Sequence, residues 1–146
     1  MPIREMKESD LPRVLEIQQE LAFQEWNERE FLAEIQANYA LCIVFEQTNF
    51  DVTDIVGYAI FHMMGPDSEL LSIATATSEQ GKGIGGELLK AGLEGLNFAN
   101  GDQMFLEVRE GNAKARRFYE HHGFEAYAKR EKYYSDGENA ILYRKA

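Results

Sequence analysis

The sequence predicts a single α/β domain, built from a mixed β-sheet with helices on both of its faces. At 146 residues the chain is long enough to bury most of its apolar surface in one domain, taken as residues 1–146. Near its middle, Leu70–Gly86 begins as an apolar strand, passes through a glycine-rich turn and opens an amphipathic helix. Strand-like apolar runs lie on both sides of this βα unit, and a mixed sheet accommodates them most economically.

The residues before the glycine-rich turn predict two kinds of element, amphipathic helices and antiparallel strands. Ser9 or Asp10 can cap a first helix, and a second helix covers Glu28–Ala37. The predicted strands are Ile3–Met6, Tyr39–Phe45, Ile55–Met63 and Glu69–Thr75. Turns at Gln47–Asp54 and Gly65–Asp67 separate the later strands, which favours antiparallel neighbours.

The residues after the turn predict a second set of elements. These are a helix from Ile84 to near Asn100, a strand Met104–Arg109, a helix through His121, and a hairpin of Phe124–Tyr134 with Ala140–Tyr143. Asn112 is a plausible N-cap of the second helix, and Gly123 is a natural residue to follow its end. Alternation along the strand points Met104, Leu106 and Val108 one way and Phe105, Glu107 and Arg109 the other.

The chain is acidic, with 15 Lys and Arg residues against 25 Asp and Glu and a formal net charge of −10. This charge argues against nonspecific nucleic-acid binding, and it favours either a cationic partner such as an amine or simply a soluble surface. The single cysteine, Cys42, excludes an internal disulfide and favours a reducing cytoplasm. We expect no membrane association, because no run approaches the roughly 20 apolar residues of a span. The first residues, charged from Arg4, do not resemble a signal peptide.

The glycine-rich turn, Gln80–Gly86, is a candidate anion site. Glycine lets backbone N–H groups approach a ligand closely, and the following helix directs unpaired N–H groups and its positive dipole end to the same point. Phosphate is the anion best suited to such a turn. The spacing fits neither the GxxxxGK[ST] nucleotide loop nor the GxGxxG dinucleotide fingerprint, and a flexible surface turn is the alternative interpretation.

Three motifs together resemble the GCN5-related N-acetyltransferase (GNAT) family. The turn reads Q-x-x-G-x-G over Gln80–Gly85, after a strand and before a helix. Leu106–Phe124, which reads LEVREGNAKARRFYEHHGF, and Arg130–Ile141 are similar to RimI-type members, which acetylate the N-terminal amines of proteins. The resemblance implies the GNAT fold, with a twisted, mostly antiparallel sheet of about six or seven strands. It also implies acetyl-CoA as cosubstrate and the N-terminal alanine of the eighteenth small-subunit ribosomal protein as acceptor.

The resemblance also assigns residues to acetyl-CoA. The pyrophosphate would be bound by Gln80, Gly81, Lys82, Gly83, Ile84, Gly85 and Gly86. The backbone of Ile73, Ala74 and Thr75 would pair with the pantetheine arm as an added strand does, and Asn112 matches a coenzyme-contacting position. Thr75-Ala76-Thr77 stands where the family usually has V-x-P, which leaves the geometry of this turn open.

Two residues match the catalytic pair of RimI-type enzymes. Glu107 matches the general base, and a carboxylate within an apolar strand is expected to be partly desolvated, which suits a base near neutral pH. The alternative interpretation is that Glu107 is a solvated surface residue or the ion-pair partner of Arg109. The resemblance implies that Tyr119 is the general acid. A phenol of pKa about 10 can hydrogen-bond the departing thiolate, whose conjugate acid has a pKa of about 8.5, and return a proton to it.

The sequence identifies the acetyl acceptor less specifically than the acetyl donor. Trp26, Tyr133 and Tyr134 can line a groove for a peptide, or they can belong to the core. The alternative functions are a GNAT enzyme for a small amine, such as a polyamine, an amino sugar or an amino acid, and a non-catalytic acyl-CoA-binding module. The histidines, His62, His121 and His122, are not spaced to share a metal. We expect a monomer or weak homodimer that binds neither nucleic acid nor membrane.

Overall fold

The structure is a computed structural model that describes residues 2–21 and 26–146. Its helices are α1 (Leu11–Gln19), α2 (Glu28–Gln36), α3 (Ile84–Leu93) and α4 (Ala113–His121), and short 3-10 turns cover Glu8–Asp10, Thr77–Glu79 and Phe98–Asn100. Its strands are β1 (Ile3–Glu5), β2 (Ala40–Asn49), β3 (Val52–His62), β4 (Asp67–Thr75), β5 (Gln103–Arg109), β6 (Glu125–Arg130) and β7 (Ala140–Lys145). None of the helices in the described residues has the length and apolar character that crossing a bilayer requires.

Within the described residues, the strands form a seven-stranded sheet in the order β1-β2-β3-β4-β5-β7-β6. Asp67–Glu69 of β4 and Gln103–Phe105 of β5 pair in parallel, whereas the β1–β2, β2–β3, β5–β7 and β6–β7 pairs are antiparallel. The predicted mixed, mostly antiparallel sheet is therefore confirmed.

The chain divides into two compact units. The first unit contains the residues up to Met63 together with Leu70–Gly95. The second unit contains Met64–Glu69 and Leu96–Ala146. The assignment of residues 1–146 to one domain stays a prediction.

In the first unit, helices cover both faces of the sheet. Adjacent residues of β3 point to opposite faces. Tyr58 packs against Phe31 of α2, with ring centroids 5.6 Å apart. A Cβ built on Gly57 would instead lie 3.1 Å from the side chains of Ile84 and Leu88 on α3. The predicted covering of both faces is confirmed for this unit.

The β2–β3 hairpin is tighter than predicted. The polar turn expected over Gln47–Asp54 is mostly strand, and the chain reverses at Phe50 and Asp51. Their φ angles are 51° and 68°, in the left-handed region that suits the twist of a two-residue hairpin. Glycine or asparagine normally marks such a turn, and Phe50-Asp51 carries neither signal.

Helix α3 is shorter than predicted, because it ends at Leu93 rather than near Asn100. Gly92 lies so close to Phe61 that an added Cβ would be 2.4 Å from the ring, and Gly95 follows directly after the helix. Each glycine costs a helix about 1 kcal/mol relative to alanine. The chain continues through a 3-10 turn that closes at Gly101, where φ is 93°.

Strand β6 ends at Arg130, although the prediction extended it to Tyr134. Lys132 has a φ of 51°, and its N–H donates to Oδ1 of Asn139 at 2.9 Å. The segment from 131 to 139 is therefore a loop that folds back on itself before β7. Aromatic residues at 133 and 134 favour a strand locally, but this cross-loop hydrogen bond outweighs that preference.

The second unit places α4 on one face of β5 and β7. Asn112 caps this helix by accepting a hydrogen bond from the N–H of Ala115 at 3.2 Å, and Gly123 follows its end with a φ of 89°. Both capping predictions are confirmed. Tyr143 of β7 faces α4, because its hydroxyl accepts from Arg116 at 3.1 Å and donates to Glu120 at 2.8 Å.

Candidate active site

The glycine-rich turn of the first unit is open and left-handed. Gly81 and Gly83 both have φ of 83°, a conformation that favours glycine. A Cβ built on either residue would meet no atom of the described residues within 4 Å. Gly83 is the N-cap of α3, and the first N–H groups of a helix have no intrahelical partner. The half-buried Gly85 and Gly86 lie in the first turn of α3, so the segment can present main-chain donors to an anion.

Two side chains of the turn are engaged within the first unit. Nε2 of Gln80 donates to the carbonyl oxygen of Thr75 at 3.2 Å, which ties the turn to the end of β4. Nζ of Lys82 lies 3.2 Å from both carboxylate oxygens of Glu79, and the lysine side chain is 56% exposed. Because the lysine side chain is largely exposed, this ion pair contributes little to stability and leaves the ammonium accessible to solvent.

The residues predicted to contact the pantetheine arm form the end of β4. Ala74 is buried, and Ile73 and Thr75 are half-buried. The N–H of Ala76 donates to the carbonyl oxygen of Val56 at 2.8 Å, and the 3-10 turn Thr77–Glu79 follows. The departure from V-x-P therefore leaves a regular turn between β4 and the glycines.

Trp26, the predicted acceptor residue of the first unit, is held by the buried side chain of Gln18. Nε2 of Gln18 donates to the carbonyl oxygen of Trp26, and Oε1 accepts from its N–H, both at 2.7 Å. The indole packs against Phe31 with ring centroids 5.1 Å apart, and Trp26 remains half-buried. One side of the ring thus belongs to the core, and the other can meet solvent.

Glu107 lies in the second unit, at the centre of β5. Met104, Leu106 and Val108 are buried, so the predicted alternation along this strand is confirmed. Glu107 itself is exposed. The expected partial desolvation of this carboxylate is therefore wrong, because its face of β5 is open to solvent.

Arg109 and Tyr134 lie on the same side of β5 as Glu107. The Arg109 guanidinium stacks over the Tyr134 ring, with Cζ 4.1 Å from the centroid. The carboxylates that Arg109 Nη1 binds are Asp136 at 2.8 Å and Glu138 at 3.1 Å. Burial, together with the nearby charge of Glu107, raises the pKa of Tyr134 to about 12. A neutral phenol and a carboxylate thus lie within electrostatic range of each other.

Tyr133, the other predicted acceptor residue of this unit, is 44% exposed. Its ring meets that of Tyr134 edge to face, with centroids 5.2 Å apart. The loop that carries both rings is anchored to Gly111, because Oε2 of Glu138 accepts a hydrogen bond from the N–H of Gly111 at 2.8 Å. An aromatic surface therefore adjoins Glu107.

Tyr119 is buried in α4. Its ring centroid lies 5.2 Å from Phe118, 5.9 Å from Phe124 and 6.4 Å from Tyr143. Burial raises the pKa of the Tyr119 phenol above its usual value. Tyr119 is therefore protonated at neutral pH. Asn112 begins the same helix, where its side chain is occupied as the N-cap.

Glu107 and Tyr119 lie on opposite faces of the β5–β7 pair. Leu106 is opposite Tyr143 in the register, and Tyr143 faces α4, which carries Tyr119. Alternation then points Glu107 away from α4. The two predicted catalytic side chains are thus separated by one layer of sheet, with Glu107 exposed and Tyr119 buried.

Residues 11–124 match the model of the Acetyltransferase (GNAT) family. The chain belongs to the GNAT acetyltransferase family. Acetyltransferases of this family use acetyl-CoA and an amine acceptor, so the predicted cosubstrate class is confirmed.

GNAT relatives with high coverage resemble the chain along nearly its whole length. An uncharacterized N-acetyltransferase of Methanocaldococcus jannaschii is 36% identical over 97% of this chain and 89% of its own. The [ribosomal protein bS18]-alanine N-acetyltransferase of Escherichia coli K12 is 30% identical over 96% and 93%. The crystal structure of the Escherichia coli ribosomal-protein-S18-alanine N-acetyltransferase superposes with a TM-score of 0.82 and 29% identity, covering 98% of this chain and 91% of that one. The resemblance to RimI-type members is confirmed.

Metal ligation finds no support among residues 2–21 and 26–146, where no group of three or more His, Cys, Asp or Glu side chains is arranged to hold an ion. His62 instead pairs with Glu34 at 2.7 Å. His121 and His122 adjoin each other at the end of α4, and burial lowers the pKa of His122. Cys42 is buried, as expected of a core residue.

Sequence reasoning missed several residues that support the site. Gln18, Glu20 and Glu138 each bind a backbone N–H of a distant segment, namely Trp26, Thr77 and Gly111. Of these three residues, only Glu138 could have been suspected from the sequence. Arg109 lies on the same strand face as Glu107, and a guanidinium there requires a carboxylate partner, which Glu138 provides.

Proposed function

We propose that this chain acetylates the N-terminal α-amine of a ribosomal protein that begins with alanine, using acetyl-CoA as the donor. One observation carries the proposal: the Escherichia coli enzyme named for this reaction is 30% identical over nearly the whole chain. The acidic composition agrees with it, since a net charge of −10 attracts a basic peptide.

The proposed reaction is a direct transfer without a covalent enzyme intermediate. Glu107, through a water molecule, accepts a proton from the ammonium of the acceptor. The free amine attacks the thioester carbonyl, and the nitrogen of the tetrahedral intermediate gives its second proton to a water molecule. The intermediate then collapses with cleavage of the carbon–sulfur bond. Tyr119 then gives its proton to the thiolate, and the Tyr119 phenolate left after this step regains a proton from water. The exposure of Glu107 supports its part, because a base must reach the acceptor. The phenol of Tyr119 is protonated at neutral pH, as a proton donor must be.

Glu107 and Tyr119 serve different atoms in this proposed order of events, the nitrogen of the acceptor and the sulfur of the donor. The proton of the nucleophile and the departing sulfur lie on different sides of the tetrahedral carbon. The proposed base and the proposed acid therefore do not compete for the same proton.

An α-amine suits this site better than a lysine side chain. The α-ammonium has a pKa near 8 and the lysine ammonium near 10.4, so at neutral pH deprotonating the α-amine costs roughly 3 kcal/mol less. A solvent-exposed carboxylate such as Glu107 is a modest base, for which the smaller cost matters.

The test is an acetylation assay followed by mass spectrometry. The acceptor is a short ribosomal peptide that begins with alanine and contains one lysine, and the control is the same peptide with a blocked N-terminus. We expect one acetyl group on the first peptide and none on the second. Turnover of spermidine, amino sugars or amino acids while the free peptide stays unmodified would instead favour the small-amine alternative.

Glu107→Gln tests the base. We expect kcat to fall by about 100-fold or more, with the affinity for acetyl-CoA retained. A variant with the full rate and the pH profile of the wild type would remove Glu107 from the mechanism. Binding of acetyl-CoA without transfer to any amine, in the wild type, would favour the non-catalytic module.

A further inference from the structure

The end of helix α1 is bound to the turn that precedes the glycines. Oε1 of Glu20 accepts one hydrogen bond from the N–H of Thr77 and another from its hydroxyl, both at 2.8 Å. Glu20 is the C-cap of α1, and Thr77 is the first residue of the 3-10 turn Thr77–Glu79. All of these residues belong to the first unit.

This contact completes the support of the turn. Ala76, just before it, is fixed to β3 by the hydrogen bond from its N–H to Val56. Gln80, just after it, is fixed to β4 by the hydrogen bond from its side chain to Thr75. Glu20 holds Thr77, between these two anchors, from the side of α1. The backbone that leads into the glycines thus has one anchor on each of three elements.

We propose that Glu20 is a positioning residue for acetyl-CoA, acting through Thr77 on the glycine-rich turn. The inference rests on the proposed function, because it takes acetyl-CoA as the ligand of that turn. A turn already fixed in one conformation loses less entropy when main-chain donors close on a pyrophosphate. Glu20 would therefore contribute to affinity without touching the ligand.

The electrostatic alternative makes the opposite prediction. Acetyl-CoA is an anion, so removing a carboxylate from an acidic chain should strengthen its binding if charge alone matters. Removing Glu20 should weaken binding if the carboxylate acts by holding Thr77. The direction of the change in Kd therefore separates the two effects.

The chain offers a matched control and a matched partner variant. Glu16, one turn earlier on α1, is exposed and carries the same charge. Thr77→Pro removes both donors at once, because proline has neither an N–H nor a hydroxyl. Ala76 has φ −52° and ψ 138°, a backbone that the residue before a proline favours, and proline fits the first position of a helical turn.

The experiment is titration calorimetry of acetyl-CoA into the wild type, Glu20→Ala, Glu16→Ala, Thr77→Pro and the Glu20→Ala/Thr77→Pro double variant. We expect Glu20→Ala to raise Kd about fivefold, the scale of one lost hydrogen-bonded contact, and Glu16→Ala to leave Kd unchanged or lower. In the Thr77→Pro background, the Glu20 substitution should change Kd by less than about twofold, since the donors it binds are gone.

Amide hydrogen exchange adds a readout that needs no ligand. The Thr77 amide should exchange faster in Glu20→Ala than in Glu16→Ala, because its acceptor is lost. A wild type that binds no acetyl-CoA would overturn the proposed function and this inference together. A wild type that binds, with Glu20→Ala equal to or tighter than Glu16→Ala, would overturn the inference alone. Equal effects of Glu20→Ala in the wild-type and Thr77→Pro backgrounds would also overturn it.

Discussion

Arg109→Met tests whether the guanidinium on β5 holds the aromatic loop beside Glu107. Methionine keeps the apolar length of the side chain and removes its charge. The variant loses the stacking of Cζ over Tyr134 at 4.1 Å and the hydrogen bond to Glu138 at 3.1 Å. It also loses the bond to the exposed carboxylate of Asp136, which solvent screens.

The magnitude follows from these contacts. The cation–π contact is worth about 1 kcal/mol, and the partly exposed ion pair with Glu138 about 1 kcal/mol more. Against this, Nε of Arg109 is buried without a hydrogen-bond partner among the described residues, and removing it recovers about 1 kcal/mol. The net destabilisation is about 1 kcal/mol, which lowers Tm by about 2–4 °C for a chain of this length.

The assay pairs urea denaturation with steady-state kinetics for the alanine peptide. We expect a lower denaturation midpoint, a raised KM for the peptide and an unchanged KM for acetyl-CoA. Arg130→Met is the control, because its guanidinium lies farther from its ring, 5.4 Å from the Tyr133 centroid, in an exposed strand. We expect it to lower the free energy of unfolding by less than Arg109→Met does. Equal midpoints for both variants and the wild type would refute the reasoning.

Three further predictions concern other parts of the chain. Tyr119→Phe should fold normally, because the phenylalanine ring fills the same space. Its kcat should fall about 100-fold with an unchanged Kd for acetyl-CoA, and an unchanged kcat would exclude Tyr119 as the general acid. Gly92→Ala should destabilise the protein by about 1–3 kcal/mol in urea denaturation, since its Cβ would lie 2.4 Å from Phe61, and the additional change Phe61→Leu should recover part of that loss. Hydrogen bonding to Arg4 lowers the pKa of Asp10 below its value in the unfolded chain. The ionised Asp10 side chain therefore stabilises the folded protein above about pH 4, and this contribution is lost as the pH falls further. Asp10→Asn should therefore narrow the difference in stability between pH 7 and pH 3, as measured by thermal unfolding.

The parts of the fold that sequence reasoning predicted are those governed by local rules. Asn112 and Gly123 bound α4 because capping depends on neighbours in the chain. The alternation along β5 follows from the pleat alone, so the buried side of the strand could be assigned. A turn was predicted within Gln47–Asp54, but its restriction to Phe50 and Asp51 was not, because the pairing of β2 with β3 determines where the strands end.

The supporting contacts of the candidate site could not be predicted in the same way. Glu20 and Thr77 are 57 positions apart, and an exposed glutamate at the end of a helix carries no signal for a distant N–H donor. The exposure of Glu107 was also mispredicted. Alternation determines to which face a side chain points, but whether that face is covered depends on elements that pack there from elsewhere in the chain.

The opposite placement of Glu107 and Tyr119 follows from this same alternation. One face of β5 buries Leu106 and Val108, and burial on that side raises the pKa of the Tyr119 phenol. The other face leaves Glu107 open to solvent and next to the loop that Arg109 fixes. A shift of one residue in the pairing of β5 with β7 would bury the carboxylate under α4 and expose the apolar residues. The register that builds the core of the second unit therefore also determines that Glu107 is exposed and that Tyr119 lies on the buried side.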